Sequence, residues 1–274
     1  MTSPNPDLLV PSGGKLLVVG ATGSIGHLAV TEARRRGFSV RALVRRAGSA
    51  KRFPAGVEIV VGDVTVPDTL PAAVADVSAI VFTLGSDGQG KVGAETVDYG
   101  GVRNVLGALD GRRVRIALMT SIGVTDRDGS YNRSTEAHDW KRRSERLVRR
   151  SGLPYTIVRP GWFDYNRADE RRLVLLQGDR RHSGTPNDGA VSRQQIAEML
   201  VHVLTSAAAT RKTFELVSAP GPAPVDPDVL LAALRPDAPG GLDAVDDIAN
   251  MPLDDEDLLL RVDLDAVAAR FHGF

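Results

Sequence analysis

Gly20, Gly23 and Gly26 stand in a G-x-x-G-x-x-G rhythm between an unbroken apolar run, 16–19, and a stretch where Ile25, Leu28, Ala29 and Ala33 recur at helical spacing. Residues of these types in this order can bind an anion. The first glycine permits a tight turn, the second lets backbone approach phosphate oxygens, and the third lets a helix pack closely on the strand. The helix start then offers unpaired N–H groups and a partial positive charge to a dinucleotide pyrophosphate. Thr22, Ser24 and Ile25 complete the turn and are expected to share that contact. A plain turn before a helix is the alternative.

Further residues bear on which nucleotide would bind. In NAD-type folds an acid at the end of the second strand receives the ribose hydroxyls. The window 38–46, FSVRALVRR, contains no acid and offers Arg41, Arg45 and Arg46. Guanidinium binds a 2′-phosphate through paired hydrogen bonds, whereas an acid would repel it. NADP(H) is therefore expected in preference to NAD(H), with Arg45 and Arg46 as ligands. A solvent-facing arginine pair is the alternative. Asp63 could accept from an adenine amino group while Val64 packs on the ring. Thr83, Leu84 and Gly85 end a strand where a ligand would cross the sheet edge.

These residues need a scaffold that brings strand ends together. Apolar runs at 16–19, 39–44, 57–61, 79–84, 115–120 and 155–159 alternate with helical patterns, including one at 97–109 and one at 134–150. Such alternation calls for an α/β fold, a doubly wound Rossmann-type parallel sheet covered on both faces. Ser192 to Gln195 has the form of a capping box and opens a helix; 213–217 reads as the last strand. We expect a flexible leader over 1–13, a nucleotide-binding domain over 14–218 and a C-terminal extension over 219–274 that serves as a small substrate or lid region. Within the domain, 162–191 is read as polar, irregular substrate-side loops. The extension has a proline- and glycine-rich linker at 220–241 and a short closing helix at 261–271.

The 274 residues are 42% hydrophobic and 25% charged, with 34 basic and 34 acidic side chains, which argues against a general nucleic-acid binder. There is no cysteine, so thiol chemistry and disulfides are excluded, and the five histidines lack metal-ligand spacing. No apolar run reaches membrane-spanning length, and a cytoplasmic location is expected. Charge is unevenly placed: 12 acids and 3 bases follow residue 220, against 22 acids and 31 bases before it. The tail either packs on the arginine-rich body or presents a solvated acidic face. The second is the expectation.

GATGSIG, VRALVRR, VVGDV, VDYGGVRN, MTSIG, SGLPYTIVRPGW and VSRQQIAE occur in the order found in the atypical short-chain dehydrogenase/reductases. The chain resembles that NAD(P)H-binding group, related to NmrA-like and flavin/biliverdin reductase-like proteins, over residues 15–217. The resemblance implies a serine, and a tyrosine placed four residues before a lysine. Ser121 and Lys141 match the serine and lysine, with Thr120 beside Ser121 at the cofactor; Ala137 stands at the tyrosine's place. Lys141 is expected to face inward with Ala137, Ser144 and Val148; the alternative is an exposed lysine paired with Glu145. His138 is expected at the surface. Pro160, Gly161, Trp162 and Phe163 fall where the resemblance places the nicotinamide wall, and Tyr165 is the substitute acid. The expected activity is NADPH-dependent reduction of a quinone, flavin or conjugated carbonyl. A non-catalytic NADP(H) redox sensor is the alternative, and a structural subunit the third reading. The expected partner is a small-molecule substrate, without nucleic acid or membrane, and the protein a monomer or homodimer.

Overall fold

The computed structural model describes residues 9–11, 13–86 and 88–272. The expected leader therefore lies largely outside the described residues, although Val10 is buried and donates its N–H to Leu204 O at 3.3 Å. The strands are β1 (Lys15–Val19), β2 (Ser39–Val44), β3 (Glu58–Val61), β4 (Ala79–Phe82), β5 (Arg115–Met119), β6 (Tyr155–Pro160), β7 (Trp162–Phe163), β8 (Arg172–Leu176), β9 (Ala190–Val191) and β10 (Lys212–Ala219). The helices are α1 (Ser24–Arg35), α2 (Pro71–Val74), α3 (Gly90–Gly93), α4 (Gly100–Leu109), α5 (Ser130–Thr135), α6 (Ala137–Arg150), α7 (Arg193–His202), α8 (Pro227–Ala232) and α9 (Leu258–His272).

Eight strands form one sheet in the order β3-β2-β1-β4-β5-β6-β10-β8, parallel except for the β10–β8 pair. Alternation along β1 shows why the sheet must be covered twice. Leu16 and Val18 join a core with Ile25, Ala29 and Ala33 of α1 and Ile196 and Leu200 of α7. Leu17 and Val19 point the other way, into a core with Val102 and Leu106 of α4, Leu147 of α6 and Leu264 of α9. A strand buried on both faces reads as a continuous apolar run. This is the doubly wound α/β architecture expected.

Several elements differ from the sequence reading. The helix expected over 134–150 breaks at Glu136, whose φ of +54° separates α5 from α6. The one expected over 97–109 enters α4 through a π-helical stretch, Ala94–Tyr99. Inside the expected irregular segment, β8 pairs antiparallel with β10 at the sheet edge, Leu176 opposite Glu215. The expected linker contains α8, capped by the Asp226 side chain, which accepts from Asp228 N.

The acidic tail is only in part a solvated face: Asp226, Asp246, Asp254, Asp255, Asp257 and Asp265 are exposed, and others pack on the arginine-rich body. Arg142 and Arg146 of α6 both pair with Asp243, and Arg146 and Arg143 with Glu256. Arg149 pairs with Asp237, and Arg159 of β6 with Asp247 at 2.7 Å, both of these pairs fully enclosed. Tyr99 and Arg103 reach Asp263 on α9. A guanidinium enters a protein interior only with its charge and donors matched. The tail supplies those carboxylates to the buried arginines of α6 and β6.

Candidate functional site

The carboxyl ends of β1, β4, β5 and β6 lie side by side, so Gly20, Thr83, Ser121 and Gly161 follow four adjacent strands. Ligands bind at this edge in open α/β sheets, where the strand order reverses. Here the reversal falls between β1 and β4.

The glycine turn fits a dinucleotide cradle on steric grounds. Gly20 has φ +86°, and a Cβ there would sit 2.7 Å from Thr83 O. A Cβ on Gly26 would lie 2.2 Å from Gly20 O, so α1 can approach β1 only with glycine at this position. At Gly23 the nearest atom is Gly20 O at 3.2 Å; this position closes the turn through Gly23 N to Gly20 O at 2.9 Å and is otherwise open. No side chain caps α1 and no acid stands in its first turn, so its leading N–H groups and dipole are left for an anion. Gly23 and Ser24 are exposed, Thr22 half-buried, and Ile25 turns into the core. Thr83 is buried, its hydroxyl donating to Val19 O at 3.1 Å.

At the end of β2 the three arginines separate. Arg41 is buried, pairs with Glu58 at 2.8 Å and donates to the carbonyls of Ala72, Ala73 and Ala75. It is a structural residue. Arg45 and Arg46 are exposed, and their side chains have no hydrogen-bond or ion-pair partner among the described residues. Asp63, two residues past β3, accepts at Oδ1 from Thr65 N and Oγ1. Val64 and Leu84 both close on Gly101 of α4, where a Cβ would meet Leu84 Cδ1 at 2.7 Å and Val64 Cγ2 at 3.2 Å. They form an apolar pair at the sheet edge; Gly85 beside them is exposed.

Beyond β5, Thr120 and Ser121 have different fates. Thr120 Oγ1 is buried and donates to Glu145 Oε1 at 2.7 Å. Ser121 Oγ is buried with no hydrogen-bond partner among the described residues. An orphaned hydroxyl at a strand end fits a polar group of a ligand. Asp179, from the segment after β8, holds the loop that follows, accepting from Gly123 N at 2.7 Å and Thr125 N at 2.8 Å. Burial pushes the Asp179 carboxyl up, but His182, Arg159 and these two amides outweigh it and hold it well below the usual carboxylate range.

Lys141 does not pair with Glu145. Its Nζ lies 3.0 Å from Asp98 Oδ1 on the π-helical stretch, and Ser86 Oγ donates to the other carboxylate oxygen at 2.7 Å. Glu145 is engaged instead by Arg159 at 2.7 Å and Arg149 at 3.2 Å. Nor is His138 a surface residue. Its ring abuts Gly123 and stacks obliquely on Tyr131, and burial lowers its pKa. His138, Lys141 and Glu145, at i, i+3 and i+7, share the helix face turned toward the β5 end. Ala137 is buried.

Pro160 and Gly161 are buried at the end of β6, where a Cβ on Gly161 would strike Gly189 O at 2.4 Å. Trp162 and Phe163 form β7, paired with Ala190 and Val191 of β9. Tyr165 is exposed, with its ring edge-on to Trp162 at 5.9 Å. Residues missed by the sequence reading are Asp98, Asp179 and Arg193. Asp98 lay within VDYGGVRN and Arg193 beside the Ser192 cap, so both had a signal; Asp179 had none. Among the described residues one grouping, His202, Asp226 and Asp228, is close enough to hold a cation. It sits at the far end of α7, and its histidine is already engaged by Asp228 and Arg36.

Fold and edge together define a Rossmann-type α/β protein whose glycine turn fits a dinucleotide. The chain belongs to the NAD(P)H-binding family, whose model matches residues 20–207, in keeping with its resemblance to the atypical short-chain dehydrogenase/reductases. Sanguinarine reductase of Eschscholzia californica is 30% identical over 245 residues, spanning 75% of this chain and 89% of that protein. A Bacillus halodurans structure of the NAD-dependent epimerase/dehydratase type superposes with a TM-score of 0.65 at 25% identity, covering 77% of this chain and 96% of that one. An Escherichia coli NADPH-dependent quinone oxidoreductase, solved with NADPH, shares the fold at a TM-score of 0.56 and 19% identity, over 74% of this chain and 69% of that one. Among the described residues no helix is long and apolar enough to cross a membrane.

Proposed function

We propose that this protein is an NADPH-dependent reductase of a quinone, flavin or conjugated carbonyl that works without the usual tyrosine. The observation that carries the reading is the orphaned buried hydroxyl of Ser121 after β5, together with the Lys141 ammonium that Asp98 holds on the α6 face turned toward that strand end. Relatives described as a sanguinarine reductase and a quinone oxidoreductase support the substrate class.

In this reading the Gly20–Gly26 turn and the start of α1 hold the pyrophosphate, and Arg45 and Arg46 hold the 2′-phosphate. Asp63, Val64, Leu84 and Gly85 line the adenine side, with Thr83 at the crossing. The nicotinamide, when bound, supplies the hydride. Lys141 binds the adjoining ribose, its ammonium fixed by Asp98, and Ser121 donates a hydrogen bond to the substrate oxygen. Gly161, Trp162 and Phe163 wall the ring and exclude water. Tyr165, in contact with solvent, delivers the proton and regains it from water. Hydride transfer depends mostly on such positioning.

NADPH oxidation against a panel of quinones, flavins and aldehydes tests the proposal. Ala137, buried where the tyrosine would stand, favours a second reading as an NADP(H) sensor. Tight binding with no turnover across the panel would select it. Cofactor choice is tested by Arg45→Glu, which should weaken NADPH far more than NADH. A lost charge-assisted pair is worth about 1.5–3 kcal/mol, roughly ten- to a hundredfold. Equal losses for the two cofactors would remove the 2′-phosphate assignment.

A further inference from the structure

One cation at the cradle has no part in the reading above. Arg193 is the first residue of α7, directly after the Ser192 cap. Its Nε donates to Ser24 Oγ at 3.0 Å, at the first residue of α1. Its guanidinium carbon lies 5.3 Å from the centre of the Phe163 ring. Asp164 fixes it from a third side, accepting from Arg193 N at 2.9 Å and pairing with Nη1. Asp164 does so from a left-handed backbone conformation, φ +61°, that non-glycine residues seldom take. Nη2 donates to no partner among the described residues, and neither α1 nor α7 has an acid in its first turn. A planar, ordered guanidinium therefore stands across the glycine turn from β1, at the point where two helix starts converge.

We propose that Arg193 is a diphosphate ligand, closing on the pyrophosphate from the α7 side while the turn and the α1 amides hold it from the other. The inference rests on the NAD(P)H-binding reading of the Gly20–Gly26 turn. A guanidinium is a planar fork of donors; with Nε on Ser24 and Nη1 on Asp164, the N–H groups of Nη2 are left for phosphate oxygens, and Phe163 and Asp164 set the plane in advance. Because the diphosphate is common to both dinucleotides, Arg193 sets affinity without choosing between them. Arg45 does the reverse.

The test uses the full chain and three probes: NADPH, NADH and ADP-ribose, with dissociation constants measured by titration calorimetry. Arg193→Met keeps an apolar stem on Phe163 and removes the charge. It should weaken all three ligands by a similar factor, about ten- to a hundredfold, while the ligand-free melting temperature changes little, because the Asp164 pair is half-exposed. Arg193→Lys should fall between, since it keeps charge and loses the fork; it also serves if the methionine variant misfolds. Unchanged affinities would make Arg193 a strut between α7 and α1 and overturn the proposal. A loss confined to NADPH would overturn it as well, by placing the guanidinium on the 2′-phosphate. If the wild-type chain binds none of the probes, the NAD(P)H-binding reading falls and the inference with it; wild-type binding that Arg193→Met leaves intact removes the inference alone.

Discussion

At the residue scale, the partner of Lys141 changes what its removal should do. Were it an exposed lysine, Lys141→Met would leave stability unchanged. The structure instead sets it against Asp98, whose side chain is 2% exposed. Breaking a buried pair from one side strands a charge, at a cost of about 3–5 kcal/mol when fully enclosed and less here, where Lys141 keeps some solvent contact. Lys141→Met should therefore lower the melting temperature as well as turnover. Adding Asp98→Asn should recover much of the stability and none of the turnover, because the stranded charge is gone but the ribose contact is not restored. Thermal melts and NADPH oxidation assays on the single and double variants separate the two effects.

Glu215 offers a pH readout at the same scale. Burial pushes its carboxyl up to about 7, against the pull of Arg159. A raised acid is neutral in the folded chain while the unfolded chain ionises near 4.5, so the folded state binds more protons between those values. Stability should fall as pH rises from about 4.5 to about 7, by roughly 3 kcal/mol for a shift of this order. Glu215→Gln keeps an acceptor for Asp179 N and cannot ionise. It should match the wild type near pH 4 and exceed it at pH 8 in urea unfolding. A variant no more stable at pH 8 would show that Glu215 titrates normally.

At the scale of elements, the β1–turn–α1 unit divides its glycines by task. Gly26 is needed for packing, since a Cβ would lie 2.2 Å from Gly20 O. Gly26→Ala should force α1 off the sheet, at about 1–3 kcal/mol for overpacking of this kind, and lose nucleotide binding with it. A Cβ at Gly23 meets its nearest neighbour in the fold, Gly20 O, only at 3.2 Å, so the Gly23→Val chain should fold and nucleotide affinity should fall by obstruction of the phosphate path. Circular dichroism with nucleotide titration distinguishes the two outcomes; normal NADPH affinity in Gly23→Val would remove the cradle. α6 is the other divided element. One face carries His138, Lys141 and Glu145 toward β5, and its arginines turn to the tail.

At the scale of the whole molecule, the C-terminal extension is an integral part of the interior. Arg142, Arg146, Arg149 and Arg159 are buried, and Asp237, Asp243, Asp247 and Glu256 all come from beyond residue 219. α9 also adds Leu260, Leu264 and Val267 to the core over α4 and α6. A chain ending at 219 should fail to fold cooperatively, because it exposes that core and strands buried charge. Urea unfolding followed by circular dichroism would show it. A truncated chain with a native-like transition would make the tail a separable lid.

The sequence by itself determined what depends on neighbours along the chain. The run 16–19, the three glycines and the helical spacing after Ile25 act within one unit of backbone, and the alternation of such units is enough to require a covered parallel sheet. The absence of an acid at the end of the second strand could be read the same way. What only the tertiary structure decided were contacts between residues far apart in sequence, since charge pairing in the interior carries no periodicity. Helical spacing offered Glu145 to Lys141, but Arg159 and Arg149 claim Glu145 with matched hydrogen bonds, and Lys141 turns to Asp98. The run RLVLL became a strand because β10 stood ready with an open edge. Asp237, Asp243, Asp247 and Glu256 of the tail looked like part of a solvated face because nothing local marked the α6 arginines as buried. Desolvation makes an unpaired charge costly only once the fold encloses it, so the identity of each partner was settled by packing and not by spacing.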